Sequence, residues 1–288
     1  MSHPPSHKEY FALSAADCLA LITSVFQAHF PGQDPGFLRS AFGAVQQFFA
    51  GRYPGYQACD SVYHDFDHTN VACAAVARIL DGHLKSGAPP KITARDFELT
   101  IAAILLHDTG YIKKTGDHEG TGAKYTLVHP SRSIEFARVM LTQLAAAPDE
   151  IAKVQAAIHF AGTENDEEIP ALLPHDRFIG SVVGAGDILG QMATPDYPNQ
   201  LPKLYREFRE GAAFAGIHGT GIARYQSAAD LMQRTREFYQ THALKLLIGR
   251  WGRVHEVLRC HFADGRNYYI EAIERNLDRI DELTRNQK

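Results

Sequence analysis

Little in this chain suits an oxidising compartment, a membrane or a nucleic-acid backbone. The four cysteines, Cys18, Cys59, Cys73 and Cys260, are scattered with no CxxC pair, so they read as reduced thiols and not as a disulfide framework or a zinc set. No uncharged apolar run reaches the ~18 residues of a membrane span, and the opening MSHPPSHKEY has neither a basic leader nor an apolar stretch for export. Lys plus Arg number 29 against 33 Asp plus Glu, a formal charge of -4, which leaves no electrostatic footprint for a nucleic-acid polymer. Repeats, low-complexity runs and clear linkers are absent, and strand-like alternation is nearly so. The expectation is a cytoplasmic, all-α protein forming a single domain over residues 1–288.

What the chain does have is helical periodicity. With 45% hydrophobic and 22% charged residues, 288 residues can bury a large core. Ser14 with Asp17 and Thr93 with Asp96 have the spacing of N-terminal caps. Apolar residues at helical spacing predict helices after Ser14, over 37–49, over 63–80 with a looser first turn, and after Thr93. Further helices are expected from His129, from Pro148 to His159, over 177–192, over 201–214, over 221–249 with a break, and over 267–283. The acidic ENDEEIP reads as a solvated loop. The segment 110–122 is polar and glycine-bearing, and is expected to lie over whatever His107 and Asp108 face.

The stretch 99–111, LTIAAILLHDTGY, is apolar nearly all the way round, so it predicts a buried helix ending in adjacent ionisable residues. A buried charge needs a partner or a metal. The other polar groups that interrupt apolar helices are His64, His68, His129, His159 and Asp187. His64 and His68 are four apart and would share one helix face. Imidazoles and carboxylates without cysteine suit iron, zinc, manganese or magnesium. One ion could take His68, His107, Asp108 and Asp187, and a second could use Asp108 as a bridge with His129 and His159. Two ions about 4 Å apart would clamp a phosphoryl group and generate a hydroxide at neutral pH. Asp65 and Asp67 suit capping or support of the ligands. Lys113, Lys114, Lys124 and Arg132 are candidate phosphate contacts.

The ordered set His68, His107-Asp108 and Asp187 resembles the HD-domain metal-dependent phosphohydrolase superfamily over about residues 60–195. Within it, YHDFDHTNVA is similar to the YHNxxHAxxV signature of the class I cyclic nucleotide phosphodiesterases, with Asp65 where those enzymes carry asparagine. VVGAGDILGQM is similar to the helix that supplies their last aspartate ligand. The resemblance implies an HD-like helical bundle with extra N- and C-terminal helices, His64 as proton donor to the leaving oxygen, and His68 and Asp187 as ligands. His129 and His159 look like the additional ligands of two-metal members, including the cyclic-dinucleotide-cleaving branch. Some of that branch bind a third ion through a ligand four residues before the first histidine, which leaves His64 open as acid or ligand.

The chain departs from these subfamilies at Thr109-Gly110-Tyr111, after the His-Asp pair, and no purine-selective glutamine can be placed. The expected activity is hydrolysis of a small phosphoester, a cyclic nucleotide or related phosphodiester, with Asp108 central to two divalent ions. Alternatives are a di-iron oxygenase on the same scaffold and a nucleotide phosphomonoesterase. The base rate for soluble enzymes leans to a homodimer.

Overall fold

The computed structural model describes residues 10–11, 13–161 and 172–285. In chain order its longer helices are α1 (Ala15–His29), α2 (Gly36–Phe49), α3 (Phe66–Ser86), α4 (Ala94–Leu106), α5 (His129–Gln143), α6 (Pro148–Ile158), α7 (Pro174–Ala193), α8 (Tyr197–Ala215) and, after a run of short turns, α9 (Tyr268–Arg285). Among the described residues there is no strand, and the single ladder-type pairing is an isolated bridge between Tyr56 and Lys114. The all-α expectation holds. No helix among the described residues is long and apolar enough to cross a membrane. The ENDEEIP segment, residues 164–170, lies outside the described residues.

Local chemistry accounts for where the helices begin. The Ser14 hydroxyl accepts from the Asp17 N–H at 3.2 Å and the Asp17 carboxylate accepts from the Ser14 N–H in return, opening α1. Thr93 and Asp96 make the same exchange ahead of α4. Each cap satisfies backbone donors that the first helical turn leaves free. The segment 221–249 is broken, as expected. It holds a 3-10 turn at Gly221–Arg224, short helices at Ala228–Gln233 and Thr235–Phe238, and π turns at Tyr239–Ala243 and Leu246–Arg250.

Helix α4 is the axis of the core. Every residue from Asp96 to Leu106 is buried, and α2, α3, α5, α6 and α7 surround it. From Leu99 on, the helix is apolar nearly all the way round and has nowhere else to go. Helix α7 lies along α3 at unusually short range because two of its contact positions carry no side chain. A Cβ on Gly186 would stand 2.3 Å from Val76 Cγ2, and one on Gly190 would stand 2.7 Å from both Ala72 Cα and Val71 O. The close approach brings Asp187, which sits between these glycines, toward His68 on α3.

This packing makes a stability prediction. Gly190→Ala places a methyl group against backbone atoms that cannot swing away, and is expected to cost about 1–3 kcal/mol. Gly43→Ala, in the middle of α2 with nothing within 4 Å of the added carbon, is expected to stabilise by about 0.5–1 kcal/mol through helix propensity. Thermal or urea unfolding of the two variants beside the parent chain measures the opposite signs.

Candidate metal centre

The site is assembled from the ends of elements. Asp65 is extended (φ -101, ψ -174) and its Oδ1 accepts from the His68 N–H at 2.9 Å, so it is the N-cap of α3. His64 therefore precedes the helix. The expectation of one helix face for His64 and His68 is corrected by this cap, although their rings remain neighbours at 5.2 Å. At the end of α4, His107 is the C-cap, and Asp108 (φ -105, ψ 5) leads into a 3-10 turn over Thr109–Tyr111. A Cβ on Gly110 would lie 2.0 Å from the His129 carbonyl oxygen, so glycine lets the start of α5 close on this turn. The Ser133 hydroxyl accepts from the Gly110 N–H at 2.8 Å, fastening the same contact.

Four side-chain atoms converge at the centre. His68 Nε2 lies 3.2 Å from Asp108 Oδ2 and 3.3 Å from Asp187 Oδ1, and His107 Nε2 lies 3.1 Å and 3.6 Å from the same two oxygens. All four are buried and none has a hydrogen-bond partner. Buried polar atoms are normally satisfied, so four orphans aimed at one point need a shared occupant. Donors about 2.0–2.2 Å from one cation sit about 3–3.5 Å from each other, which is the spacing found. The tautomer agrees as well. His107 Nδ1 lies 2.7 Å from the Ile104 carbonyl oxygen, an acceptor only, so Nδ1 carries a proton and Nε2 is the nitrogen turned to the two carboxylates.

The charges tell the same story in the metal-free state. Burial pushes both imidazoles toward neutrality, but the carboxylates of Asp108 and Asp187 outweigh it, raising His68 to about 9 and His107 upward. Burial also opposes ionisation of the two carboxyls, and the histidines override it, holding Asp187 at about 2 and Asp108 low. Protons on the imidazoles thus stand where a cation would.

Two groups offer donor atoms all within 4.8 Å of one another: His68, His107 and Asp187, and His64, His68 and Asp108. The other carboxylate oxygen of Asp108, Oδ1, lies 3.6 Å from His129 Nε2. His129 Nδ1 donates to the Thr126 carbonyl at 2.7 Å, and burial lowers its pKa to about 4, so Nε2 is a free lone pair at neutral pH. His159 is the C-cap of α6, half-buried, and belongs to neither group. Its neighbour Phe160 packs on Gly180 and Gly184 of α7, beside the helix that carries Asp187.

One functional residue escapes the sequence reading. Glu207 on α8 is 2% exposed, and its Oε2 lies 2.5 Å from His64 Nδ1 while Oε1 accepts from the Tyr63 N–H at 2.7 Å. Burial would keep this carboxyl protonated, but His64 and the backbone donors hold it below the usual range. The available signal was a carboxylate on the buried stripe of α8, in line with Leu204 and Gly211.

Three of the four cations expected to meet phosphate have partners within the protein. Lys113 pairs with Asp60 at 2.8 Å and donates to the Gly120 carbonyl. Lys124 pairs with Asp117 at 2.5 Å and donates to the Glu119 carbonyl. Arg132 donates to the carbonyls of Gly110 and Ile112. All three hold the 110–125 loop in shape. Lys114 is exposed, beside the Tyr56 bridge.

The fold and the site together define an all-helical bundle with two overlapping His/Asp clusters capable of holding metal ions. No protein-family model matches the chain, and no curated protein matches it.

An ion entering the four-donor cluster must displace the protons held there. Apparent affinity for zinc or manganese is therefore expected to rise with pH toward about 9, with protons released on binding. Calorimetric titration in two buffers of different ionisation enthalpy counts them. Binding with no proton release would contradict this account of the apo site.

Proposed function

We propose that this chain is a metal-dependent phosphohydrolase of the HD type, acting on a cyclic nucleotide or related phosphodiester. The observation that carries the reading is the convergence of four orphaned buried donors beside a histidine held by a carboxylate. In this reading His68, His107, Asp108 and Asp187 hold one divalent ion. The other oxygen of Asp108 and His129, together with His159, hold a second. Bound there, iron, manganese, magnesium or zinc would supply Lewis-acid stabilisation of phosphoryl oxygens and lower the pKa of water.

The chain's own groups do the rest. Glu207 accepts from His64 Nδ1 and so keeps the imidazole in one orientation, with Nε2 free to carry a proton. Hydrolysis adds water across a P–O bond, and the departing oxygen takes the His64 proton, so no alkoxide has to leave unprotonated. A positioned acid of this kind contributes roughly 10²–10⁴ in rate. Burial of Tyr63 and Tyr111 beside the histidines limits water in the site, which strengthens every charge interaction within it.

The test is an activity screen with each of the four metals against cyclic mononucleotides, cyclic dinucleotides, a chromogenic phosphodiester and nucleotide monophosphates. Cleavage of a diester, abolished by chelation, is expected. Oxygen consumption with an alcohol or phosphonate, and no ester cleavage, would assign the di-iron oxygenase chemistry instead.

Two variants separate the roles. Asp108→Ala is expected to lose both metal and turnover. His64→Ala is expected to keep its metal, measured by elemental analysis, while kcat falls about 10²–10⁴-fold. Loss of an ion from His64→Ala would make His64 a ligand.

A further inference from the structure

We infer that Tyr111 is a positioning residue that sets the plane of the His64 imidazole and ties it to His129, an inference that rests on the proton-donor reading of His64. The ring of Tyr111 stacks on His64 with centroids 4.3 Å apart and planes 8° from parallel. It stacks on His129 as well, at 4.4 Å and 19°. The two imidazoles are themselves 6.3 Å apart and 26° from parallel. One aromatic ring thus touches the proposed proton donor and a proposed ligand of the second ion.

A face-on neighbour supplies what the Glu207 contact cannot. A hydrogen bond at Nδ1 fixes one atom of His64, and the ring can still rock about it, because the outer torsion of histidine has a broad, shallow preference. Rocking would swing Nε2 away from the line on which it must deliver a proton. Tyr63 meets His64 edge-on at 4.9 Å and 71°, which limits sliding but does not define the plane. The Tyr111 face does.

Tyr111 is itself held hard enough for this task. It is 2% exposed and follows Asp108 by three residues on the 3-10 turn. Its stacking partner His129 is fixed in turn, with Nδ1 donating to the Thr126 carbonyl at 2.7 Å. A Cβ on Gly122 would lie 2.1 Å from the Tyr111 carbonyl oxygen, so the 122–125 turn closes over the same backbone. Tyr111 and His129 therefore form one stacked pair, anchored through the Thr126 carbonyl, and His64 lies flat against the Tyr111 ring. The geometry also gives a physical meaning to the position at which this chain departs from the subfamilies it resembles.

The experiment compares the full chain with Tyr111→Phe and Tyr111→Leu, each loaded with zinc. The phenylalanine ring preserves the stack, and leucine removes it while keeping the site apolar. On a diester with a poor leaving group, Y111L is expected to lose about 10–100-fold in kcat with KM unchanged, and Y111F to stay within about threefold of the parent. On a p-nitrophenyl diester, whose leaving group hardly needs the proton, all three should agree within about threefold. Equal losses on both substrates, or Y111F falling as far as Y111L, would overturn the inference.

A readout independent of turnover keeps this separate from the phosphodiesterase reading. In the zinc-loaded protein the ring protons of His64 and His129, observed by NMR of histidine-labelled chain, should carry upfield stacking shifts that Y111F retains and Y111L loses. That pattern in a protein that cleaves no phosphoester would sink the proposed reaction and leave standing only the hold of Tyr111 on the two imidazole rings. Unchanged histidine signals in Y111L would sink the positioning role whatever the activity. If Y111L does not fold, Y111M, unbranched and similarly apolar, makes the same comparison.

Discussion

Two carboxylates and two imidazoles buried at one point are costly unless a cation sits among them, and the geometry around Asp108 and Asp187 is built on that constraint. Asp108 Oδ2, Asp187 Oδ1 and the Nε2 atoms of His68 and His107 have no hydrogen-bond partners, yet each nitrogen faces the two oxygens across 3.1 to 3.6 Å. In the absence of an ion, protons on the histidines balance the carboxylates.

The bundle maintains this arrangement by removing side chains where helices must meet. Gly186 and Gly190 let α7 lie against Ala72 and Val76 of α3, so Asp187 and His68 arrive from different helices at a common point. Gly110 does the same for the turn after Asp108 and the start of α5, which carries His129. Around these contacts α4, buried from Asp96 onward, provides a central post, its last turn ending at His107. Sites carried on the ends of packed helices are held more firmly than sites on free loops.

Beyond the four donors, a layer of supporting groups fixes orientation. Ile104 and Thr126 carbonyls set the tautomers of His107 and His129, and Glu207 holds His64. Lys113, Lys124 and Arg132 bind the 110–125 loop to Asp60, Asp117 and backbone carbonyls. The loop is thereby shaped around the site, with Tyr111 at its base against two histidines.

Much of this was legible in the chain, and the division follows a physical line. Helical class, the buried α4 with its ionisable end, the caps at Ser14 and Thr93, and the polar residues stranded on apolar helices are all consequences of periodicity and burial cost, which act locally. The role of Asp65 as a cap could be weighed from spacing, but its effect, moving His64 off the helix, depended on backbone conformation. Tertiary structure alone decided the rest. Glu207 meets His64 across 143 residues, and no local pattern specifies a partner at that range. Tyr111 read as part of a departure after the His-Asp pair and stands as a stacked ring, because the space beside a side chain is set by helices that close on it from elsewhere in the chain. Sequence by itself determined which groups could not be left alone in the core; the fold decided which of them would meet.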